Sequence, residues 1–159
     1  MNILFLCTGN SCRSILAEAT FNALAPSNMH AMSAGSQPAG YVHPKSIALL
    51  SSKSIATEGY YSKSWNNLPI TPDIVITVCG NAAGETCPAY LGNVIRAHWG
   101  VEDPAKATGT DAEIDAAFEM AYSTLRKRIE AFLKLPTSLF ETNNKAELQT
   151  ELNTIGEIK

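Results

Sequence analysis

The chain has no surplus of positive charge: 12 Lys and Arg stand against 15 Asp and Glu over 159 residues, a net charge of −3. Such a balance gives no broad cationic field. It argues against nucleic acid as a partner and requires a local site for any anionic ligand. No apolar run approaches the length needed to span a bilayer, so no membrane association is expected. The first residues, Met1-Asn2-Ile3-Leu4-Phe5-Leu6-Cys7, are apolar but lack the basic segment and the length of a secretion signal. We read them as a buried strand of a cytoplasmic protein. No internal repeat or low-complexity tract is visible, and charged residues make up only 17% against 45% hydrophobic. That composition excludes a disordered chain. Four cysteines in a chain with no signal peptide point to metal or redox chemistry rather than to a disulfide framework.

Hydrophobic periodicity predicts alternating strands and helices. Residues 2–7 read as a strand. Residues 14–24 place Ile15, Leu16, Ala19, Ala23 and Leu24 at helical spacing, and Pro26 stops that helix. A short strand is expected over 30–33, ending at Ala34-Gly35. Pro44 then opens a helix with Ile47, Leu49 and Leu50 turned inward. Residues 59–72 read as a loop, and 73–78 and 93–98 as two further strands. A long helix follows, with Ile114, Ala117, Phe118, Ala121, Leu125, Ile129, Phe132 and Leu133 in one stripe, ended by Pro136. This pattern implies a parallel α/β sheet covered on both faces. We expect a catalytic domain over 1–135 and a C-terminal extension over 136–159. Leu148, Leu152 and Ile155 lie at helical spacing in that extension, which fits a docked helix better than a partner-binding motif and leaves a dimer contact open.

The segment Cys7-Thr8-Gly9-Asn10-Ser11-Cys12-Arg13-Ser14 carries the chemistry. A strand runs into it and a helix runs out, so its backbone N–H groups form a concave anion site at a helix N-terminus. Arg13 can close that site with a planar fork matched to two oxygens of a tetrahedral oxyanion. Gly9 is expected to permit a turn that a side chain would obstruct, and Asn10 to adopt a left-handed conformation or hold the loop by hydrogen bonds. The positive surroundings predict a lowered pKa for Cys7 and hence a nucleophilic thiolate. Cys12 reads as a packed thiol or as a redox partner for Cys7 under oxidation. The alternative, an inert buried Cys7 beside a chance Arg, leaves the joint placement of strand, loop, Arg and helix unexplained.

Together with Ser33-Ala34-Gly35 and Asp103-Pro104, this loop resembles the low-molecular-weight protein tyrosine phosphatase superfamily over most of residues 1–134. The resemblance implies a three-layer fold, a four-stranded parallel sheet flanked by helices, to which the C-terminal helix is extra. It also implies Cys7 as nucleophile, Arg13 as oxyanion clamp and Asp103 as general acid. Residues 75–80, Cys87-Pro88 and His98-Trp99-Gly100 resemble the arsenate reductases of that superfamily. Those enzymes need a second thiol, because reducing arsenate takes two electrons and a disulfide supplies them. Cys79 ends its strand as Cys7 does and is expected to attack Cys7. Cys87 is expected to accept the disulfide across the glycine-containing stretch between them. Their spacing is one residue longer than in the best-known thioredoxin-linked pattern. The implied reductant is therefore thioredoxin or, instead, glutathione with glutaredoxin. No cofactor is expected to be bound, and arsenate, mimicked by phosphate or sulfate, is the implied ligand.

Several readings stay open at the level of sequence. A phosphatase acting on phosphomonoesters would use Cys7, Arg13 and Asp103 alone, and a non-catalytic oxyanion sensor would use the loop without turnover. Ala105 stands where the phosphotyrosine enzymes of the superfamily carry an aromatic residue, which favours a small inorganic anion. Cys79 and Cys87 could also be packed core thiols. A structural zinc site fits poorly, since none of the three histidines lies within ten residues of either. The reductase branch can hold potassium through Asn10, Glu18, Ser33 and an Asp in the segment matching 61–65. Here that segment has no Asp but has Lys63, so no metal is expected, and Glu18 reads equally as a solvated helix-face carboxylate. His30 and His43 lack a metal-like arrangement. His98 and Trp99 are expected to pack near the acid loop, and Tyr60, Tyr61 and Trp65 to wall the site or anchor their own loop.

Overall fold

The computed structural model describes residues 1–79, 94–141 and 144–159. The chain runs β1 (Asn2–Leu6), α1 (Arg13–Leu24), β2 (His30–Ala34), α2 (Pro44–Ser52), β3 (Ile74–Thr77), β4 (Ile95–His98), α3 (Asp111–Leu133) and α4 (Lys145–Ile155). The strands form one parallel sheet in the order β2-β1-β3-β4. Successive side chains of a strand point to opposite faces. Ile3, Leu4, Phe5 and Leu6 of β1 are all buried, as are Ile74, Val75 and Ile76 of β3, so the middle of the sheet is covered on both sides. The edge strand β4 buries only Ala97. The sheet and its flanking helices are those anticipated from the alternation of periods.

One aromatic cluster ties the layers together. Phe5 of β1 lies against Phe21 of α1 and Trp99 just past β4, with ring centroids 6.0 and 6.1 Å apart. Phe132 of α3 meets Phe21 at 5.6 Å and Trp99 at 6.3 Å. Such tilted and edge-on pairs each add about 0.5–1.5 kcal/mol to the burial of the rings. α3 buries Phe118, Ala121, Leu125, Ile129 and Phe132, the greater part of its apolar stripe, together with Tyr122 and Arg128. α2 differs from expectation. Leu50 is buried but Ile47 is 41% exposed, and Ser46 takes the inward place because its hydroxyl has a partner there, the carbonyl of Ser11. α4 buries Leu148, Leu152 and Ile155 in the same core.

Both central strands end at the same edge of the sheet. β1 and β3 pair with Leu6 opposite Thr77, and Val78 N donates to Leu6 O. Cys7 and Cys79 therefore leave adjacent strands at their carboxyl ends, where open α/β sheets bind ligands.

Candidate functional site

The loop after β1 is held from outside by its carbonyls. Thr8 O accepts from Gln37 N, Gly9 O from Ala39 N and the Ser62 hydroxyl, and Ser11 O from His43 N. Its amides turn the other way: Thr8 N donates to Cys79 Sγ at 3.4 Å, and Gly9 N to the Cys7 sulfur. Carbonyls out and amides in is the backbone arrangement of an anion cradle. α1 adds its N-terminus without competition, because the N-cap residue Cys12 makes no side-chain capping bond and the first turn holds no acidic residue.

Asn10 is the residue that bends the loop. Its φ of +46° lies in the left-handed region, where a short polar side chain is among the few tolerated. Its side chain is fully buried: Nδ2 donates to Ser14 Oγ at 2.8 Å and Ser33 Oγ at 2.9 Å, while Oδ1 accepts from Lys63 N at 2.9 Å. Gly9, expected to be the obligatory glycine, is not: a Cβ there would meet nothing within 4 Å. The close approach falls at Gly35 instead, where a Cβ would come within 2.3 Å of Thr8 O and 2.7 Å of Cys7 O. The Ser33-Ala34-Gly35 segment thus matters because β2 delivers it against the back of the loop.

Cys7 is buried and sits against Cys79, to whose sulfur its own S–H donates. That bond is the main reason the Cys7 pKa is pushed up rather than down, and burial adds to it. The Arg13 charge and the Gly9 amide oppose the rise without overcoming it. A lowered value follows from loop and arginine alone; it is reversed because the second thiol is close enough to share a proton. Burial likewise pushes Cys12 up to about 11, so this thiol is protonated and packed at neutral pH. Cys7 and Cys12 are free thiols. Cys87 lies outside the described residues.

Arg13 reaches across from the start of α1. Its Nη1 donates to Val101 O at 3.1 Å and its Nη2 pairs with Asp103 Oδ2 at 3.4 Å. Asp103 also accepts from Ala105 N and so caps the turn begun by Pro104. Clamp and acid, ninety residues apart in sequence, stand side by side.

Beneath the loop lies a polar network around Lys63. Its Nζ is 3.7 Å from Glu18 Oε1 and 3.4 Å from Ser33 Oγ, and it stacks over the Tyr61 ring at 4.7 Å. Ser33 Oγ donates to Glu18 at 2.6 Å. Both charged side chains are only 9% exposed. Burial raises the carboxyl pKa and lowers the ammonium pKa, each partly offset by the other's charge. Glu18 is therefore an inward-facing member of this network and not a solvated helix-face charge. Among the described residues no group of three or more His, Cys, Asp or Glu is placed to hold a metal ion.

Sequence reasoning brought out Cys7, Arg13, Cys79 and Asp103, and the fold brings these four together. It did not bring out Ser46, Ser62 or His43, which hold the loop's carbonyls from α2 and from the 59–72 segment. They are polar residues in polar stretches and carry no signal until folded. His98 donates to or accepts from Thr77 Oγ1 at 2.7 Å, and Trp99 is fully buried, so both pack beside the acid loop rather than in the cradle.

Residues 2–149 match the model of the low molecular weight phosphotyrosine protein phosphatase family. The chain is 40% identical over 131 residues to an arsenate reductase of Halalkalibacterium halodurans, covering 82% of this chain and 93% of that one. Among solved structures, an arsenate reductase in a phosphate-binding state superposes with a TM-score of 0.69 at 28% identity, over 83% of this chain and 95% of that chain. A thioredoxin-dependent arsenate reductase of Corynebacterium glutamicum gives a TM-score of 0.58 at 26% identity, over 81% and 61%. No helix among the described residues is long and apolar enough to cross a membrane. The cradle, the paired thiols and these relatives together place the chain in the low molecular weight phosphotyrosine protein phosphatase family, among its arsenate reductases.

Proposed function

We propose that this protein reduces arsenate to arsenite in the loop after β1. Arsenate is held by the loop amides and by Arg13, which exchanges Asp103 for the anion's oxygens. Cys7 attacks arsenic as Asp103 protonates the departing oxygen, which leaves as water. Cys79 then attacks the Cys7 sulfur. A disulfide forms between the two, the sulfur–arsenic bond breaks, and its electron pair stays on arsenic, which leaves as arsenite. Two thiols lose two electrons and arsenic gains them. Cys87 is assigned the next exchange, carrying the disulfide to Cys79–Cys87. An external thiol reductant restores the enzyme. Thioredoxin is the one we assign, by analogy with the thioredoxin-dependent relative, with glutathione and glutaredoxin as the alternative. The enzyme is placed in the cytoplasm, where such reductants keep thiols reduced.

The observation that carries this reading is the contact of Cys79 with Cys7 and with the Thr8 amide. A hydrolase has no use for a second thiol in that place. The raised Cys7 pKa fits the same picture: one proton is shared between the thiols, and an entering oxyanion that displaces Cys79 from Cys7 leaves the Arg13 and Gly9 influences to favour the thiolate.

The decisive measurement is arsenite production with thioredoxin, alongside phosphomonoester hydrolysis, for the parent and for Cys79→Ser. Arsenite production is expected to fall by at least a hundredfold in the variant while hydrolysis persists. This fall is on the scale of removing a participating catalytic group, about 10²–10⁴. Parental arsenite production by Cys79→Ser would refute the mechanism. Brisk hydrolysis with no arsenite from the parent would support the phosphatase reading, which the Cys7, Arg13 and Asp103 constellation also favours.

A further inference from the structure

Three consecutive residues after β4 each attach to a different part of the molecule. Trp99 Nε1 donates to Leu152 O of α4 at 3.0 Å. Gly100 O accepts from Arg128 Nη1 of α3 at 3.2 Å. Val101 O accepts from Arg13 Nη1 at 3.1 Å, and two residues on, Asp103 pairs with the same guanidinium. Arg128 makes a second bond, from Nε to Ile158 O at 2.9 Å, beyond the end of α4. The neighbouring Lys127 Nζ reaches Lys159 O at 3.4 Å. The tail is also packed closely where it turns back, since a Cβ on Gly156 would lie 2.7 Å from His98 O.

Arg128 is 5% exposed, and no carboxylate among the described residues lies within ion-pair distance of it. A cation buried on carbonyls alone carries a desolvation cost that an apolar side chain of similar size would avoid. What it supplies in return is a rigid fork whose separate nitrogens each hold a backbone carbonyl of a different segment, a fixed geometry that a lysine ammonium does not offer. One of those carbonyls belongs to the tail. The other adjoins the carbonyl that seats the oxyanion clamp. Arg13, Asp103, Gly100, Arg128 and Lys159 line one continuous cleft.

We propose that Arg128 is a positioning residue that latches the C-terminal tail onto the Gly100–Val101 backbone and thereby sets where Arg13 and Asp103 stand. The inference rests on the proposed roles of those two residues in oxyanion binding and turnover. It assigns the tail a part in catalysis without any contact with substrate.

The test uses Arg128→Met, a chain ending at Ile155, and the two changes combined. Two quantities are read: the Kd for inorganic phosphate by calorimetry, and kcat and KM for arsenate. Each single change is expected to raise the phosphate Kd and the arsenate KM by about tenfold, the scale of one lost hydrogen bond to a charged group. Arg128→Lys is expected to recover only part of that loss. Because both changes open one latch, the combined variant should be no worse than Arg128→Met alone. Parental phosphate affinity in the folded single variants, or losses that multiply in the combined one, would overturn the latch. Should Arg128→Met fail to fold by circular dichroism, the shortened chain decides alone, and parental affinity there has the same force. A parent that binds phosphate but makes no arsenite with any thiol reductant would remove the proposed function and leave the latch still measurable through phosphate. A parent that binds no phosphate would overturn both.

Discussion

The Cys7 sulfur stands among groups that pull its titration in opposite directions. The Cys79 hydrogen bond raises the Cys7 pKa, burial raises it further, and the Arg13 charge lowers it. Replacing Cys79 by Ala removes the largest of the raising influences. The pH dependence of Cys7 alkylation by iodoacetamide is therefore expected to move to lower pH in Cys79→Ala, with faster labelling at pH 7. An unchanged or alkaline-shifted profile would mean that burial, not the second thiol, governs Cys7. The linkage to stability has a definite sign. A thiol whose folded pKa is raised contributes stability below the unfolded pKa near 8.5, and that contribution is lost as pH rises above it. The nucleophile was legible in the sequence because its loop is local. The direction of its titration was not, because the thiol responsible is seventy-two positions away.

Among the elements, the 59–72 segment changes most between sequence and structure. It reads as a loop, and its regular features are an isolated parallel bridge from Ser64 to Gly35 and a short 3-10 turn at Trp65–Asn67. Yet Lys63 N and Ser62 Oγ hold Asn10 and Gly9, and the Lys63 ammonium reaches under the loop to Glu18. Breaking one side of a nearly buried ion pair leaves the other charge uncompensated, at a cost of about 3–5 kcal/mol, whereas removing both can be close to neutral. Urea unfolding is thus expected to show Lys63→Met strongly destabilised and Glu18→Gln/Lys63→Met considerably less so. A double variant as unstable as the sum of its singles would show that the pair is not coupled. Strand and helix periods identified β1, α1, β3 and α3 because those elements are long or strongly apolar. They misjudged Ile47 in α2, where the inward position goes to Ser46 through its bond to Ser11 O.

At the scale of the whole molecule, the C-terminal residues join the one core. Leu152 is fully buried and its carbonyl holds the Trp99 indole. Leu152→Ala is expected to cost about 2–5 kcal/mol, read as a lower urea midpoint in a single transition seen alike by tryptophan fluorescence and circular dichroism. Two separated transitions would show that the tail folds independently. The sequence by itself determined the α/β alternation and the oxyanion loop, since each is written in local spacing, while the acid Asp103 came only through the family resemblance; one parallel sheet then needs only strands of the right polarity. Tertiary structure alone decided that Cys79 touches Cys7, that Gly35 rather than Gly9 must lack a side chain, that Lys63 faces Glu18, and that Arg128 ties the tail to the acid loop. Each of these is a meeting of residues distant in the chain, and the geometry of such a meeting depends on how helices and strands pack, which no local pattern encodes.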